Sequence, residues 1–180
     1  MKYMIVSDIH GDADCTDKII DIFNSKSCDA LIILGDILYH GPRNDLPAGY
    51  APKRVIKSLN SMKDRIIAIK GNCDAEVDQM VLDFNINSDP YELELNGRRV
   101  MLTHGHKFEI DSISATDFDL VFYGHTHLLR AERLESGITV INPGSTSIPK
   151  GGNKNSFAIC EEDKITVYDL DCNEIISVII

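Results

Sequence analysis

The sequence predicts an α/β protein in which two packed β-sheets are flanked by helices. Strand-like and helix-like segments alternate in the first part of the chain, and short strand-like segments follow one another in the second part. A chain of 180 residues has the size of one ordinary domain and can bury a large core. We therefore expect residues 1–180 to form a single domain.

The first part of the chain reads as βαβαβ. The apolar run KYMIVSD ends in a charged residue, and Thr16, Ile19, Ile20 and Phe23 then follow with the spacing of one helix face. The segments DALIILGD and DRIIAIKGNCD read as the second and third strands, and KRVIKSLNSM reads as the helix between them. Strands joined by such crossovers are parallel, so the sheet is predicted to begin as a parallel one.

The second part of the chain is predicted to be rich in strands and partly antiparallel. YELELNGRRVMLTHG alternates across Asn96-Gly97, a strong signal for a hairpin with a two-residue turn. Further short strands are predicted in FDLVFYGH, GITVINPG, SFAICEEDKITVYDL and NEIISVII. The change from alternating helices and strands to successive short strands favours two packed sheets over one open sheet.

Composition and charge exclude several classes of function. The formal net charge of −10, without a basic patch, argues against a nucleic-acid duplex as partner. The N-terminus lacks a signal-peptide core, and no run approaches ~20 apolar residues, so we expect a soluble, cytoplasmic protein without a membrane partner. The five scattered cysteines contain no CxxC pair, which indicates neither a disulfide framework nor a thiolate zinc site.

Potential metal ligands follow five of the predicted strands. Ligands of open α/β sheets sit beyond the carboxyl ends of strands, and five of the six histidines of the chain fall there. Each group alone is an ordinary turn sequence, but their joint occurrence points to a site. The five groups are Asp8-Ile9-His10, Gly35-Asp36, Gly71-Asn72-Cys73-Asp74, His104-Gly105-His106 and Gly124-His125-Thr126-His127.

The mixture of carboxylate, imidazole and amide ligands suits Mn²⁺, Fe or Zn²⁺. Residues at i and i+2 on extended chain point to the same side, so Asp8 with His10, and His125 with His127, can converge. The candidates are too many for one ion. Two ions sharing a bridging carboxylate would use them all, and pairs of ions ~3.5–4 Å apart are used to hydrolyse phosphate esters.

The ordered set D-x-H, G-D, G-N-x-D, H and G-H-x-H resembles the calcineurin-like metallophosphoesterase superfamily over nearly the whole chain. The segments LGDILYHGPRN, KGNCDAEVDQM, LTHGH and NPGSTSIPKGGN are similar to the small phosphodiesterases of the YfcE type. The resemblance implies a four-layer α/β/β/α fold, two sheets flanked by helices. It also implies that one metal is held by Asp8, His10 and His127, the other by Asn72, His104 and His125, and that Asp36 bridges both.

The same resemblance implies the reaction. Asp36 and Asn72 would be catalytic through the ions, Mn²⁺ is the expected metal, and Zn²⁺, Fe, Ni²⁺ and Mg²⁺ are alternatives. A hydroxide bridging the two ions would attack the phosphorus of a small phosphate diester in line. Two divalent ions, two carboxylates and this hydroxide leave about one positive charge, which would attract a phosphodiester monoanion.

Secondary candidates surround this set. Many members of the superfamily have histidine where this chain has Cys73, and we interpret Cys73 as a residue that lines the substrate site rather than a weak acid. Arg43, in a long Pro/Gly loop, either contacts a phosphate oxygen or stabilises the loop. Lys150 could likewise contact an anion or be merely solvated. His40 and His106 are not counted as ligands.

The alternative to an enzyme is a protein-interaction scaffold, because a trafficking protein that resembles these enzymes acts by binding partners. A lost ligand would indicate that role, and this chain has every ligand of the motif. We also expect a homodimer or higher homo-oligomer, because LPAGY is apolar within a polar loop and the chain ends in the apolar IISVII. Both apolar segments could instead belong to the core.

Overall fold

The computed structural model describes residues 1–107, 109–114 and 116–180. The helices are α1 (Ala13–Ser25), α2 (Pro52–Asn60) and the short α3 (Glu76–Gln79), and 3-10 turns span Lys63–Arg65 and Ile110–Ser112. The strands of the first half are β1 (Lys2–Val6), β2 (Ala30–Ile33), β3 (Ile66–Ile69) and β4 (Ile86–Asn87). Those of the second half are β5 (Tyr91–Leu95), β6 (Arg98–Leu102), β7 (Leu120–Phe122), β8 (Leu129–Arg133), β9 (Thr139–Pro143), β10 (Ser156–Glu161), β11 (Lys164–Asp169) and β12 (Glu174–Ile179).

The strands form two sheets, as predicted. The first sheet has the order β12-β11-β10-β1-β2-β3-β4, in which β1 to β4 are parallel and β10 to β12 are antiparallel to their neighbours. The second has the order β5-β6-β7-β9-β8, with a parallel centre and antiparallel edges. The predicted βαβαβ start and the partly antiparallel second half are both confirmed.

The hairpin predicted at Asn96-Gly97 joins β5 and β6. Asn96 has a φ of 50° and Gly97 a φ of 79°, and Leu95 pairs with Arg98 directly across the turn. Positive φ at both central residues is the requirement of the turn that matches the right-handed twist of the strands. Asparagine and glycine tolerate this conformation best, so the turn follows from local sequence.

Alternate residues of the central strands enter two different cores. Val6 and Ile33 pack with Phe23 of α1 and Val55 of α2 on the outer face of the first sheet. The residues that alternate with them on β1 and β2 pack instead between the sheets, against side chains of the second sheet such as Phe122. Burying each of these side chains contributes roughly 1.5–3 kcal/mol, so the two sheets are joined mainly by apolar contact.

The outer face of the second sheet is covered differently from that of the first. Met101, Val121 and Val140 form a third cluster there, and partly buried Ile113 and Phe118 pack against it. Within the described residues this outer layer is an irregular segment containing a 3-10 turn, whereas α1 and α2 cover the first sheet. Strand β8 was not predicted, because its sequence LRAER lacks the apolar alternation of a half-buried strand.

Among the described residues, no helix has both the length and the apolar character needed to cross a membrane.

Candidate metal centre

The seven predicted ligands lie in the loops that follow β1, β2, β3, β6 and β7. The carboxyl ends of these strands face one edge of the two-sheet stack, and the loops are bonded to one another there. The Asp8 N–H donates to Gly35 O (3.2 Å), the His10 N–H to Asp36 O (2.9 Å), and the Gly124 N–H to His104 O (3.2 Å). The structure thus brings together residues that are far apart in the sequence.

Five of the seven residues have left-handed backbone conformations. The φ angles are 54° at Asp8, 48° at His10, 54° at Asp36, 66° at His125 and 58° at His127. Such conformations are uncommon outside glycine, cost of order 1–3 kcal/mol each and cluster at functional sites. These turns aim the side chains into the space between the loops, which the sequence pattern did not reveal.

Asp8, His10 and His127 form the first ligand group. The distances from Asp8 Oδ1 are 3.6 Å to His10 Nε2 and 3.2 Å to His127 Nε2, and the two Nε2 atoms lie 3.3 Å apart. All three side chains are buried. Their ligand atoms lie within 4.8 Å of one another, close enough to bind one ion.

The second ligand group contains Asn72, His104 and His125, with Asp36 beside it. His104 Nε2 lies 3.0 Å from Asn72 Oδ1 and 3.4 Å from Asp36 Oδ2, and its ring centroid is 5.2 Å from that of His125. Asp36 Oδ2 is also 3.8 Å from His10 Nε2 in the first group. Asp36 therefore lies between the two groups, where a bridging ligand must be.

Backbone carbonyl groups fix the orientation of three imidazole rings, on the side opposite to the ligand nitrogens. The Nδ1 atoms of His10, His104 and His127 face backbone carbonyl oxygens at 2.8, 2.7 and 2.7 Å. A ring nitrogen facing a carbonyl oxygen must carry the proton, so the neutral ring presents Nε2 as a lone-pair donor. Metal-binding histidines are usually held in this way.

The electrostatics of the cluster favour positive charge. Burial acts against ionisation of both Asp8 and His104, but other interactions outweigh it. The adjacent imidazoles of His10 and His127 hold the pKa of Asp8 well below its usual range, and Asp36, with the nearby charge of Asp8, raises the pKa of His104 to about 9. The carboxylates thus create a negative electrostatic potential, which stabilises the proton on His104 and would also attract a divalent cation.

The donor set fits divalent metal ions. Asp8 Oδ1 is buried and has no hydrogen-bond partner among the described residues, although it faces two imidazole nitrogens. A buried carboxylate oxygen without a partner is costly unless a cation compensates it. Carboxylate, imidazole and amide donors together suit Mn²⁺, Fe or Zn²⁺. Several ring nitrogens approach the same position, which suits a metal ion with several ligands better than a single proton.

Asp74 holds two of the ligand loops together, a role that the sequence did not indicate. Its carboxylate is buried and accepts hydrogen bonds from the backbone N–H groups of Asp36 (2.8 Å), Ile37 (2.8 Å) and Gly71 (2.7 Å). At Gly71 a Cβ would overlap Asp36, which explains why glycine is needed where the loops touch. Asp74 therefore has a role in fixing the backbone of both loops.

Other side chains outside the predicted set fix the ligands. Ser7 Oγ donates to Asp8 Oδ2 (2.7 Å), and Ser145 Oγ donates to Asp8 O (2.8 Å). Asn142 donates to Gly124 O (2.9 Å) at the start of the His125 loop. The sequence offered only a weak signal for these residues, since serine and asparagine in loops are common.

Asp89 supports His104 in a comparable way. Its side chain is buried and accepts hydrogen bonds from the hydroxyl of Thr103 (2.6 Å) and the N–H of His104 (3.1 Å). His106, not counted as a ligand, lies beside the second group, with its ring centroid 5.4 Å from that of His104. His40 packs against Tyr39 and Tyr50 instead.

A cavity of about 380 Å³ opens next to the ligands. Both secondary substrate candidates line it, Arg43 from the loop after β2 and Cys73 from the loop after β3, and Lys150 does so from the loop after β9. The backbone N–H of Cys73 donates to Asp36 Oδ1 (2.7 Å), so the thiol lies beside the proposed bridging carboxylate. The cavity is where a substrate would reach both ligand groups.

Comparison with known families agrees with this architecture. Residues 1–164 match the calcineurin-like phosphoesterase superfamily domain, and the chain belongs to this family. It is therefore a metallophosphoesterase, an enzyme of the class that uses divalent metal ions to hydrolyse phosphate esters.

Among individual proteins, the chain is similar to phosphodiesterase YfcE of Escherichia coli K12, with 45% identity over 178 residues, 98% of this chain and 96% of that protein. It is 30% identical to phosphodiesterase MJ0936 of Methanocaldococcus jannaschii over 165 residues, 84% of this chain and 91% of that protein.

The chain also resembles solved structures of this fold. The structure of E. coli YfcE superposes with a TM-score of 0.94 at 44% identity, covering 99% of each chain. An archaeal phosphodiesterase matches with a TM-score of 0.70 at 26% identity over the whole of both chains. Vps29 of Entamoeba histolytica, solved with zinc, shares the fold at 18% identity with a TM-score of 0.58, covering 93% of this chain and 91% of that one.

Proposed function

We propose that this metallophosphoesterase is a phosphodiesterase that hydrolyses small phosphate diesters at a dinuclear metal centre. The observation that carries the proposal is the position of Asp36 Oδ2, 3.8 Å from a nitrogen of the first ligand group and 3.4 Å from one of the second. The specificity for diesters is supported by the two relatives named as phosphodiesterases, which match most of the chain.

Each predicted ligand has a place in this proposal. Asp8, His10 and His127 would hold one ion, Asn72, His104 and His125 the other, and Asp36 would hold both. Two divalent ions, when bound, stabilise charge on phosphoryl oxygens and make a hydroxide available near neutral pH. The carbonyl bonds at Nδ1 aim the three imidazoles and make Nε2 the nitrogen that bears the lone pair once each ring is neutral.

Asn72 has a further part in this scheme. Its amide oxygen faces His104 Nε2 at 3.0 Å, and its amide nitrogen donates to the sulfur of Cys73 at 3.2 Å, along the cavity wall. Asn72 would thus hold the second ion through its oxygen, while its N–H group lies on the side of the cavity. An amide with this division of roles would orient a phosphoryl oxygen as well as a metal.

We further propose Mn²⁺ as the activating metal, with Zn²⁺, Fe, Ni²⁺ and Mg²⁺ as alternatives, because oxygen and imidazole donors in a site of several ligands suit it. The substrate would be a small cytoplasmic phosphate ester, since a net charge of −10 does not favour a nucleic-acid duplex. A lost ligand would indicate a scaffold role like that of a trafficking protein, and all seven ligands are present in this chain.

Metal content and hydrolysis measured together test the proposal. Protein stripped with chelator and reloaded with Mn²⁺ should bind two ions per chain and hydrolyse bis-p-nitrophenyl phosphate faster than p-nitrophenyl phosphate. Asp36→Ala should lose metal from both groups and at least about 100-fold in activity, because it removes a ligand shared by both ions. Arg43→Ala, the control, should keep both ions. One ion at saturating Mn²⁺, or faster hydrolysis of the monoester, would refute the proposal.

A further inference from the structure

We propose that Arg43 and Lys150 bind a second, non-scissile phosphate of the substrate, so that the preferred diesters are nucleotide-sized molecules carrying an additional phosphate monoester. The inference rests on the proposed phosphodiesterase function and specifies its substrate class. It concerns the cavity wall beyond the metal ligands.

The two cations reach this cavity from different loops. Arg43 lies in the segment after β2, where Asn44 donates to His40 O (2.8 Å) and closes the turn. Lys150 lies after β9, and its backbone N–H donates to His127 O (3.1 Å). The Lys150 loop is thus tied directly to a ligand of the first group. Both cationic side chains line the same cavity as Asn72.

Among the residues that the structure describes, no carboxylate pairs with either cation. Within the described residues neither Arg43 nor Lys150 forms an ion pair, although the chain has 28 acidic and 18 basic residues. The acidic residue that lines the cavity is Asp36, which already belongs to the metal centre. Two cations facing one cavity without a counter-charge repel each other, and a bound anion offsets that repulsion.

The charge balance distinguishes a second phosphate from the scissile one. With two divalent ions and a hydroxide bound, the centre formed by the ligand residues would carry about one positive charge, which would match the single negative charge of a phosphodiester. Arg43 and Lys150 add two positive charges, which match the dianion of a phosphate monoester near neutral pH. A simple diester leaves these two charges unused.

The size of the cavity agrees with this class of substrate. A volume of about 380 Å³ is in the range of sites for small organic ligands, which begin at ~300 Å³. A nucleoside unit between the two phosphates would fill it. The guanidinium can contact two phosphate oxygens at once, while the ammonium acts as a point charge, so the pair combines orientation with attraction.

Two substrates that share one scissile bond test the inference. The p-nitrophenyl ester of thymidine 5′-phosphate should be compared with the same ester carrying a 3′-phosphate, under saturating Mn²⁺. We expect kcat/KM to be roughly tenfold or more higher for the 3′-phosphorylated ester, mainly through KM. Arg43→Gln and Lys150→Gln should each bring the ratio of the kcat/KM values of the two esters close to one, whatever their effect on the simple ester. Lys53→Gln, which removes an exposed cation of α2, is the matched control.

Binding gives a readout that does not depend on turnover. In equilibrium dialysis the wild type should bind thymidine 3′,5′-bisphosphate roughly tenfold more tightly than thymidine 5′-phosphate, and the Arg43→Gln/Lys150→Gln variant should bind the two equally. Equal kcat/KM for the two esters, or equal losses on both in the variants, would overturn the inference and assign the cations to the scissile phosphate. Absence of all diester hydrolysis with the binding preference intact would instead count against the proposed function alone.

Discussion

At the scale of single residues, Cys73 is the position where the chain departs from the histidine found in many members of its superfamily. Burial and the neighbouring charge of Asp36 raise the pKa of the Cys73 thiol to about 12. Its backbone N–H donates to Asp36 Oδ1 (2.7 Å), and its sulfur lies within 4.8 Å of the ligand atoms of Asp36 and His10. A thiol this weakly acidic is a poor proton donor to a leaving oxygen, which supports its interpretation as a lining residue.

The rates of hydrolysis of esters with different leaving groups should show whether Cys73 donates a proton. A general acid contributes typically ~10²–10⁴-fold, but only when the leaving oxygen needs a proton. The wild type should therefore hydrolyse bis-p-nitrophenyl phosphate well and alkyl phosphate diesters poorly. Cys73→His should raise turnover mainly on the alkyl esters, and Cys73→Ala should change nitrophenyl turnover little. Loss of nitrophenyl hydrolysis in Cys73→Ala with both metals still bound would show that cysteine takes part.

The raised pKa of His104 predicts how pH affects metal binding. Burial would lower this pKa, but the carboxylates Asp36 and Asp8 raise it to about 9 in the metal-free protein. The ring is therefore protonated at pH 7 and must lose its proton to bind an ion.

The apparent Kd for Mn²⁺ should accordingly fall as pH rises from 7 to 9, by up to about tenfold per pH unit for this one proton, and level off above it. Competition titration against a metal indicator at several pH values measures this. His104→Gln, which has no such proton, should show a weaker dependence. An affinity that does not change with pH in the wild type would contradict the assignment of His104 as a ligand.

At the scale of elements, the site depends on contacts between loops that follow different strands. The Asp74 carboxylate joins the loop after β2 to the loop after β3 through three backbone N–H groups. These donors are buried, so each would lose its partner without gaining water if the carboxylate were removed. Asp74 therefore positions Asp36 through the backbone of its loop.

Asp74→Ala should reduce the free energy of unfolding by about 3 kcal/mol or more, because it leaves several buried donors unsatisfied. It should also lower the Mn²⁺ content, since Asp36 loses its fixed backbone. Thermal unfolding and elemental analysis of the same samples measure the two effects. Asp64→Ala, at an exposed carboxylate, is the control and should change neither. Normal metal binding in a destabilised Asp74→Ala protein would show that the contact stabilises the fold without positioning the site.

At the scale of the whole molecule, the two sheets share one apolar core. Ile5 and Ile32 of the first sheet pack against Val100 and Phe122 of the second. Neither sheet can bury these side chains alone, so we propose that the chain is a single domain that unfolds cooperatively.

We also propose a homo-oligomer, with β12 as the contact. This strand forms an edge of the first sheet and exposes Ile175 (44%) and Ile179 (67%), and Leu46 of the LPAGY loop is 60% exposed. An exposed apolar edge strand favours pairing with another chain. The two segments of the sequence that suggested an oligomer are thus partly accessible.

Light scattering at micromolar concentration should give a mass of at least twice 20.0 kDa. The variant Ile175→Lys/Ile179→Lys should reduce it to that of one chain, because lysines on an edge strand oppose pairing. Met80→Lys, at another exposed apolar position, should leave the oligomer intact. A mass near that of one chain for the wild type would exclude the proposal.

Much of the fold follows from local sequence. The order of helices and strands in the first half, the Asn96-Gly97 turn and the strand ends that carry ligands are all readable, because hydrophobic period and turn chemistry are properties of neighbouring residues. Strand β8 and the irregular segment packed on the outer face of the second sheet could not be predicted from the sequence. Both depend on what a distant segment packs against, and LRAER has no apolar pattern of its own.

For the site, the sequence by itself determined which side chains are available: seven donors in an order typical of one superfamily. Only the tertiary structure decided that Asp36 lies between two ligand groups, that carbonyl oxygens orient three imidazoles, and that Asp74 joins two loops. The physical reason is that ligand geometry is a set of distances between loops far apart in the chain. Those distances are fixed by sheet pairing and core packing, and they cannot be predicted from local residue patterns.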